Sequence, residues 1–433
     1  MSPEVAGIVG VILLLILFFL KMQIGLSMLI IGFLGYAYLI NKNAGLAVIG
    51  QVPYSTASMY SLSVIPMFIV MGMFLSYGGL GRDLFKAVDA WLRHLPGGMA
   101  IATIGACAAF AAVSGSATAT AATLGTIALP EMKRYKYDDA LATAVVAAGG
   151  TLGILIPPST ILILYGLLTE LSVGKLLMAG LLPGILQAIL FAITVYIQVK
   201  RDPKKASIAP PAPFRERIAS LQVIWPVIAI FLLVMGGIYF GFFTPTEAAA
   251  AGAFIALIFS LATRRFKKSD LVSSLDQTAR TTAMLFLILI GAITFGRFLA
   301  VTNIPSELSG FIAGLHVSRY VIMTMILLIM VVLGCFIEGI SLMVLTIPIL
   351  YPLIISLGFD GIWFGVLMVV MLNIGMVTPP VGMNVYVTAG VAKDVPLMTI
   401  FRGVTPFWIA MIVCALILIA APQIATFLPS LMK

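Results

Sequence analysis

The chain of 433 residues is short of nearly everything that soluble chemistry uses: only 9% of its residues are charged, and it has three cysteines and two histidines. Cys107, Cys335 and Cys414 all lie inside apolar runs, and His94 and His316 stand far apart. Neither a disulfide framework nor a zinc site is expected from such a set. The nearest approach to a phosphate loop, Gly174-Lys175, lacks both the earlier glycine and the following Ser or Thr, which excludes ATP hydrolysis. No His/Cys cluster, nucleophile motif or pair of acids on one helix face is present, so a membrane-embedded enzyme is the most remote of the readings.

What is abundant is grease. Hydrophobic residues make up 61% of the chain, and runs such as "GIVGVILLLILFFL" and "LLPGILQAILFAITVYIQV" approach the 20 or so helical residues that cross a bilayer core. The fold class expected is an all-α polytopic membrane protein. The first run has no Lys or Arg before it and no clear small-residue cleavage site, so it reads as a retained helix and not a signal peptide. Spanning helices are expected near 4–20, 22–40, 60–80, 139–169, 176–199, 221–243, 246–263, 281–300, 360–391 and 401–428.

The net charge of +9 would point to nucleic acid in a soluble protein, but the basic residues gather in short connections, as in cytoplasmic loops. No nucleic-acid partner is implied. With the N-terminus outside, only Lys42, Lys175, Arg297, Arg319 and Lys433 of the 25 basic residues fall on the outer side. That count requires residues 98–131 to enter and leave on the same side. The segment "AAVSGSATATAATLG" inside them is bare of charge and aromatic rings, and fits the tip of a re-entrant hairpin lining a cavity. Small residues also pack tight helix crossings, and composition alone leaves both readings open.

Shifting the sequence by 222 residues lays Gly153, Pro157 and Pro158 over Gly375, Pro379 and Pro380, and pairs His94 with His316 and Pro130 with Pro352. The same shift implies a second hairpin near 320–356, around "GCFIEGISL". An odd number of helices separates the copies, so they run in opposite senses, the inverted-topology repeat of a secondary transporter with its site between the copies. The double prolines remove backbone donors, so helices 139–169 and 360–391 are expected to break near Gly153 and Gly375. Freed carbonyls with Ser and Thr hydroxyls suit sodium, while half-helix N-termini favour an anionic group. In "RDLFKAVDAWLRHL", residues Leu84, Phe85, Val88, Trp91, Leu92 and Leu95 share one helical face, which predicts a membrane-surface helix over 82–95 with a counterpart near 303–316. The chain then divides into N-terminal spans (1–58), a first repeat (59–199), a cytoplasmic linker (200–220), connecting helices (221–280) and a second repeat (281–433).

The motifs "VSGSATAT", "GILIPPS", "FTPTEAAA" and "GMVTPPVGMN", in this order across essentially the whole chain, resemble the large membrane subunit of tripartite ATP-independent periplasmic (TRAP) transporters. The resemblance implies an elevator-type, sodium-driven importer of small organic anions of the carboxylate class in a bacterial inner membrane. It also implies a small membrane subunit and a periplasmic substrate-binding protein as partners. A stand-alone sodium- or proton-coupled anion transporter of the same architecture is the alternative.

Carried over by motif, one sodium site uses Ser114, Gly115 and Ser116 with the break from Gly153 to Pro157. The other uses Glu338 and Gly339 with Gly375, Thr378 and Pro379. Glu338 stands where the first copy has hydroxyls; an acid there serves a cation site, a proton-linked step or a structural pair with a base. Thr118, Thr378 and Asn384, which follow the tips and breaks, are candidate substrate contacts. Arg297 is read either as a carboxylate contact or as a snorkelling side chain near the outer end of its helix. Glu247, after Thr244-Pro245-Thr246, reads as a helix cap.

Overall fold

The computed structural model describes the chain except for Arg264, Pro305, Leu308, Ser309, residues 311–316 and Lys433. Among the described residues all regular structure is helical. The N-terminus forms α1 (Pro3–Phe19), α2 (Ile24–Leu39) and α3 (Lys42–Ala57). The third of these is absent from the hydropathy reading, because Gly45, Gly50 and Pro53 dilute its apolar pattern. It starts all the same, at a cap in which the Asn41 side chain accepts the Ala44 N–H at 2.8 Å.

The first repeat follows as α4 (Val64–Tyr77), α5 (Leu80–Leu92), α6 (Gly98–Ser114), α7 (Ala117–Arg134), α8 (Asp139–Thr151), α9 (Thr160–Thr169) and α10 (Val173–Arg201). The connecting helices are α11 (Phe214–Tyr239) and α12 (Pro245–Ala262). The second repeat holds α13 (Lys268–Val301), α14 (Arg319–Gly334), α15 (Gly339–Ser356), α16 (Gly361–Val377), α17 (Met383–Val391), α18 (Leu397–Ala420) and α19 (Gln423–Ser430).

The shift of 222 residues maps Ala117–Arg134 onto Gly339–Ser356 end to end, and the start of α8 onto the start of α16. The caps correspond too. Asp138 accepts the Leu141 N–H at 3.0 Å and Asp360 the Trp363 N–H at 2.8 Å, each satisfying a free donor of the first turn. Both expected breaks are present, between α8 and α9 and between α16 and α17.

Several boundaries differ from those read in the sequence. Residues 401–428 are two helices, α18 and α19, parted at Ala421 and Pro422, where the proline supplies no N–H. Helix α11 begins at Phe214, inside the expected linker, and α13 begins at Lys268, well before the apolar stretch that hydropathy detects. Thr244 and Glu247 form a complete capping box at the start of α12. The expected surface helix at 303–316 falls mostly on residues outside the described ones. Helix α5 buries Leu84 and Phe85 against the rest of the protein and leaves Trp91 exposed, as is Leu95 just beyond its end.

Helices α2 and α13 meet at a small-residue seam. A methyl added to Gly291 would lie 2.2 Å from the Gly25 carbonyl, so the two backbones touch. Helix α4 packs against α12 and α13, with the Ser260 hydroxyl donating to the Phe74 carbonyl at 2.8 Å. This frame of α1–α4 and α11–α13 flanks the two helical hairpins α6–α7 and α14–α15.

The repeat yields a topological expectation. In a background without Cys107, Cys335 and Cys414, cysteines placed at Lys133 and at Ser318 label with impermeant reagent from opposite sides of the membrane; labelling of both from one side would refute opposed copies.

Candidate functional site

Each hairpin tip is docked on its own repeat's break. At the first, α6 ends in Ser114, Gly115 takes the left-handed conformation (φ 60°) that glycine tolerates, and Ser116 caps α7 by accepting the Ala119 N–H at 3.3 Å. The hydroxyls bond among themselves: Ser114 Oγ lies 2.8 Å from Thr120 Oγ1, and Ser116 Oγ 3.3 Å from Thr118 Oγ1. Thr120 also donates to the Ser116 carbonyl at 2.8 Å.

At the first break, Pro157 has no N–H to offer the Gly153 carbonyl four residues back, and Pro158 none for Ile154. The Ser159 hydroxyl takes over as donor to the Ile154 carbonyl and also caps α9, accepting the Leu162 N–H at 3.2 Å. Thr160 Oγ1 then donates to the Gly115 carbonyl at 2.9 Å, tying break to tip. Gly153 lies so close beneath the tip that an added methyl would sit 2.4 Å from the Ser116 carbonyl oxygen. Ser114, Gly115, Ser116, Gly153 and Pro157 are thus brought together.

The second tip runs from Gly334 to Glu338. The carboxylate of Glu338 caps α15, accepting the Ser341 N–H at 3.2 Å and hydroxyl at 2.9 Å, in the position that Ser116 holds in the first copy. It makes no ion pair with a base among the described residues, so a cap replaces the basic partner that the sequence allowed. The tip docks through the Val381 N–H, which donates to the Cys335 carbonyl at 3.1 Å, and through Gly375, where an added methyl would come within 2.7 Å of the Gly334 backbone. Thr378 ends α16 with its hydroxyl donating to the Ile374 carbonyl at 2.5 Å, while Pro379 is exposed. Gly339 is buried, with only ordinary contacts around it.

Both tips open on one cavity of about 550 Å³. Ser114, Ser116, Thr118 and Glu338 line it, together with Ser76 of α4, Thr160 of α9 and Thr281 of α13. Among the described residues Glu338 is its only ionisable wall residue, and no Lys, Arg or His of them lines it. The first turns of α7, α9 and α15 border it through Ala117, Ile161 and Ile340, so the positive ends of three helix dipoles gather there. Ser76, Thr160 and Thr281 escaped the sequence reading. Thr160 had a signal, since it directly follows "IPPS"; the other two lie in unremarkable spans.

Of the four candidate substrate contacts, Thr118 lines the cavity and three do not. Thr378 is half-buried behind the second tip. Asn384 is fully buried, its Nδ2 donating at 3.1 Å to the Ala147 carbonyl of α8, so it links the two repeats; its Oδ1 has no partner among the described residues. Arg297 of α13 is half-buried and forms no ion pair among the described residues.

A family model described as "Tripartite ATP-independent periplasmic transporter, DctM component" matches residues 11–424. The chain is 35% identical over 379 residues to the C4-dicarboxylate TRAP transporter large permease protein DctM of Pseudomonas aeruginosa, which covers 87% of this chain and 88% of that one. It is 31% identical over 417 residues to the sialic acid TRAP transporter large permease protein SiaM of Vibrio cholerae serotype O1, covering 96% of each. Among solved structures it resembles the Alcanivorax borkumensis YdaH transporter, with a TM-score of 0.64 over 91% of each chain at 13% identity, a likeness of fold alone.

The tip geometry separates two glycines that composition treats alike. Gly153→Ala forces backbone apart at the first tip, a cost of about 1–3 kcal/mol, and is expected to cut uptake at least severalfold. Gly339→Ala, whose methyl would meet side chains no closer than 3.7 Å and which keeps the backbone oxygen, the one atom this residue can offer a cation, leaves uptake near wild type. Uptake at matched protein levels checks the pair, and equal effects would refute the docking account.

Proposed function

The chain belongs to the DctM-component family of tripartite ATP-independent periplasmic transporters, so it is a multi-pass membrane permease and not an enzyme, and we propose that it imports a small carboxylate driven by sodium. The observation that carries this reading is the charge of the cavity. Among the described residues a carboxylate entering it meets Glu338 and no basic side chain, and an uncompensated pair of negative charges at membrane depth is costly. Sodium ions travelling with the substrate supply the missing positive charge. C4-dicarboxylates and sialic acid, named for the two relatives, are both organic acids.

In this reading one sodium binds at Ser114, Gly115 and Ser116 against Gly153 to Pro157. The other binds at Glu338 and Gly339 against Gly375, Thr378 and Pro379. Oxygen ligands from hydroxyls, carboxylate and helix-break carbonyls suit a hard cation. Thr118 hydrogen-bonds the substrate in the cavity. Thr378, Asn384 and Arg297 reach it only in another conformation, as the hairpins, broken helices, α10 and α18 move as one body against the frame. That is an elevator motion, with both hairpins re-entrant and α5 as an arm between body and frame. The permease works in a bacterial inner membrane with a small membrane subunit and a periplasmic binding protein that delivers the substrate.

Reconstitution tests both coupling and site. With the binding protein and small subunit present, collapsing the sodium gradient while supplying ATP is expected to stop accumulation; unchanged uptake would remove the coupling. Ser116→Ala and Ser116→Gly both delete the hydroxyl, but glycine retains most of the capping preference, losing only a few tenths of a kcal/mol. Both are expected to raise the half-saturating sodium concentration severalfold. An effect confined to the alanine variant would reduce Ser116 to a helix cap.

A further inference from the structure

Helix α5 carries an acid that the transport chemistry above does not use. The Asp89 side chain is 15% exposed; among the described residues its Oδ1 is buried without a donor and its one ion pair is with Arg93 a turn on, at 3.9 Å. Arg93 is committed elsewhere: its Nη2 lies 3.3 Å from both carboxylate oxygens of Glu216, at the start of α11. Two acids on two helices therefore compete for one guanidinium, because the other base that α11 brings to α5, Arg217, lies over the Trp91 ring at 5.8 Å and forms no ion pair among the described residues.

The remaining groups around Asp89 deepen that competition. Glu131 of α7 adds a third negative charge, and Tyr137, on the turn after α7, has its hydroxyl occupied by the Met99 N–H at 3.2 Å. The same cavity, of about 1010 Å³, is lined by Arg82 and Lys86 of α5, Arg134 of α7, and Arg265. Arg265 is paired with Asp83 at 3.0 Å and Arg134 reaches Glu131 only at 4.0 Å, while Arg82 and Lys86 form no ion pair among the described residues. Helices α4 and α6, also packed on α5, bring no charged side chain. Burial pushes the Asp89 carboxyl up from 3.8 to about 6, opposed by Arg93 and reinforced by Glu131 and Glu216.

We propose that Asp89 is a proton-operated latch between α5 and α11: protonated, it leaves Arg93 to Glu216 and the helices stay clamped; ionised, it draws Arg93 away and α5 is released. The proposal rests on the reading of α5 as the arm of a moving transporter, so acid on the side that bears this cavity slows transport. The sign follows from linkage. A carboxyl whose pKa is raised in the clamped arrangement binds its proton more tightly there than when released. Clamping is therefore unaffected by pH well above 6, and strengthens as pH falls from about 6 towards 3.8, by about tenfold per pH unit.

Hydrogen exchange of residues 214–220 in the full chain in nanodiscs, corrected for intrinsic rates, reads the clamp directly. Protection is expected to rise about tenfold on going from pH 7.5 to pH 5. Asp89→Asn should be protected at both values and Glu216→Gln, altered at a half-exposed side chain, at neither. Protection independent of pH in the wild type, or an unaltered pH response in either variant, overturns the latch. Uptake from vesicles with the cavity-bearing side at pH 5 or 7.5 then tests its role: wild type slower in acid, Asp89→Asn slow at both. Exchange that responds while uptake does not would overturn the link to transport. Failure of sodium-driven uptake altogether would strike the functional reading and leave the exchange result to judge the latch.

Discussion

The structure depends on how backbone groups freed by the double prolines find partners away from water. Two helices that stop in mid-course leave carbonyls and N–H groups that hydrocarbon cannot satisfy. Part of this is solved within the break and part at the hairpin tip: the Ser159 hydroxyl donates to the freed Ile154 carbonyl while Thr160 Oγ1 donates to the Gly115 carbonyl of the tip in one copy, and the Val381 N–H donates to the Cys335 carbonyl of the tip in the other. The tips need the breaks as much as the breaks need the tips, since each hairpin turn also leaves helix ends open. Gly153 and Gly375 are the steric condition for this exchange, because a methyl at either would collide with backbone of the opposing tip.

The two copies solve the same geometrical problem with different chemistry. Their helices coincide under one shift, and Ser116 and Glu338 both cap the helix that leaves the tip. A serine cap is neutral, whereas a glutamate cap brings a full negative charge to the cavity wall. Replacing one by the other preserves the fold and makes the cavity wall asymmetric in charge. Conserving the cap while changing its charge is a small alteration locally and a large one electrostatically.

Much of this was legible before any coordinates. Hydropathy located the long spans, and the paired Gly and Pro-Pro positions located both breaks, because proline chemistry acts locally and leaves the same mark in each copy. The small, hydroxyl-rich stretch 111–125 allowed either a tip or a tight crossing, and it holds the turn between α6 and α7. What stayed hidden depends on neighbours. Helix α3 has no strong apolar pattern and is held by its Asn41 cap and by packing of Gly45 on Ala37. Asn384 reads as a polar residue after a break, yet its amide is spent on the Ala147 carbonyl of the other repeat, a contact 237 residues away in sequence. Arg297 shows the same limit: its charge is obvious in the chain, but no pattern in the sequence says that it stands off the cavity.

The strength of these contacts bears on what the site can do. A single hydrogen bond such as Thr160 to Gly115 contributes only about 1 kcal/mol, and polar contacts between membrane helices average nearer 0.6 kcal/mol. The docked tips are therefore secured by close backbone packing over glycine, which is unforgiving of bulk but holds no large electrostatic energy. Such a contact resists substitution and still separates at modest cost. By contrast, the seam between α2 and α13, where Gly25 and Gly291 bring backbones together, lies within the frame and binds its helices along their length. The molecule thus places broad, continuous packing in its frame and short, local docking at the cavity.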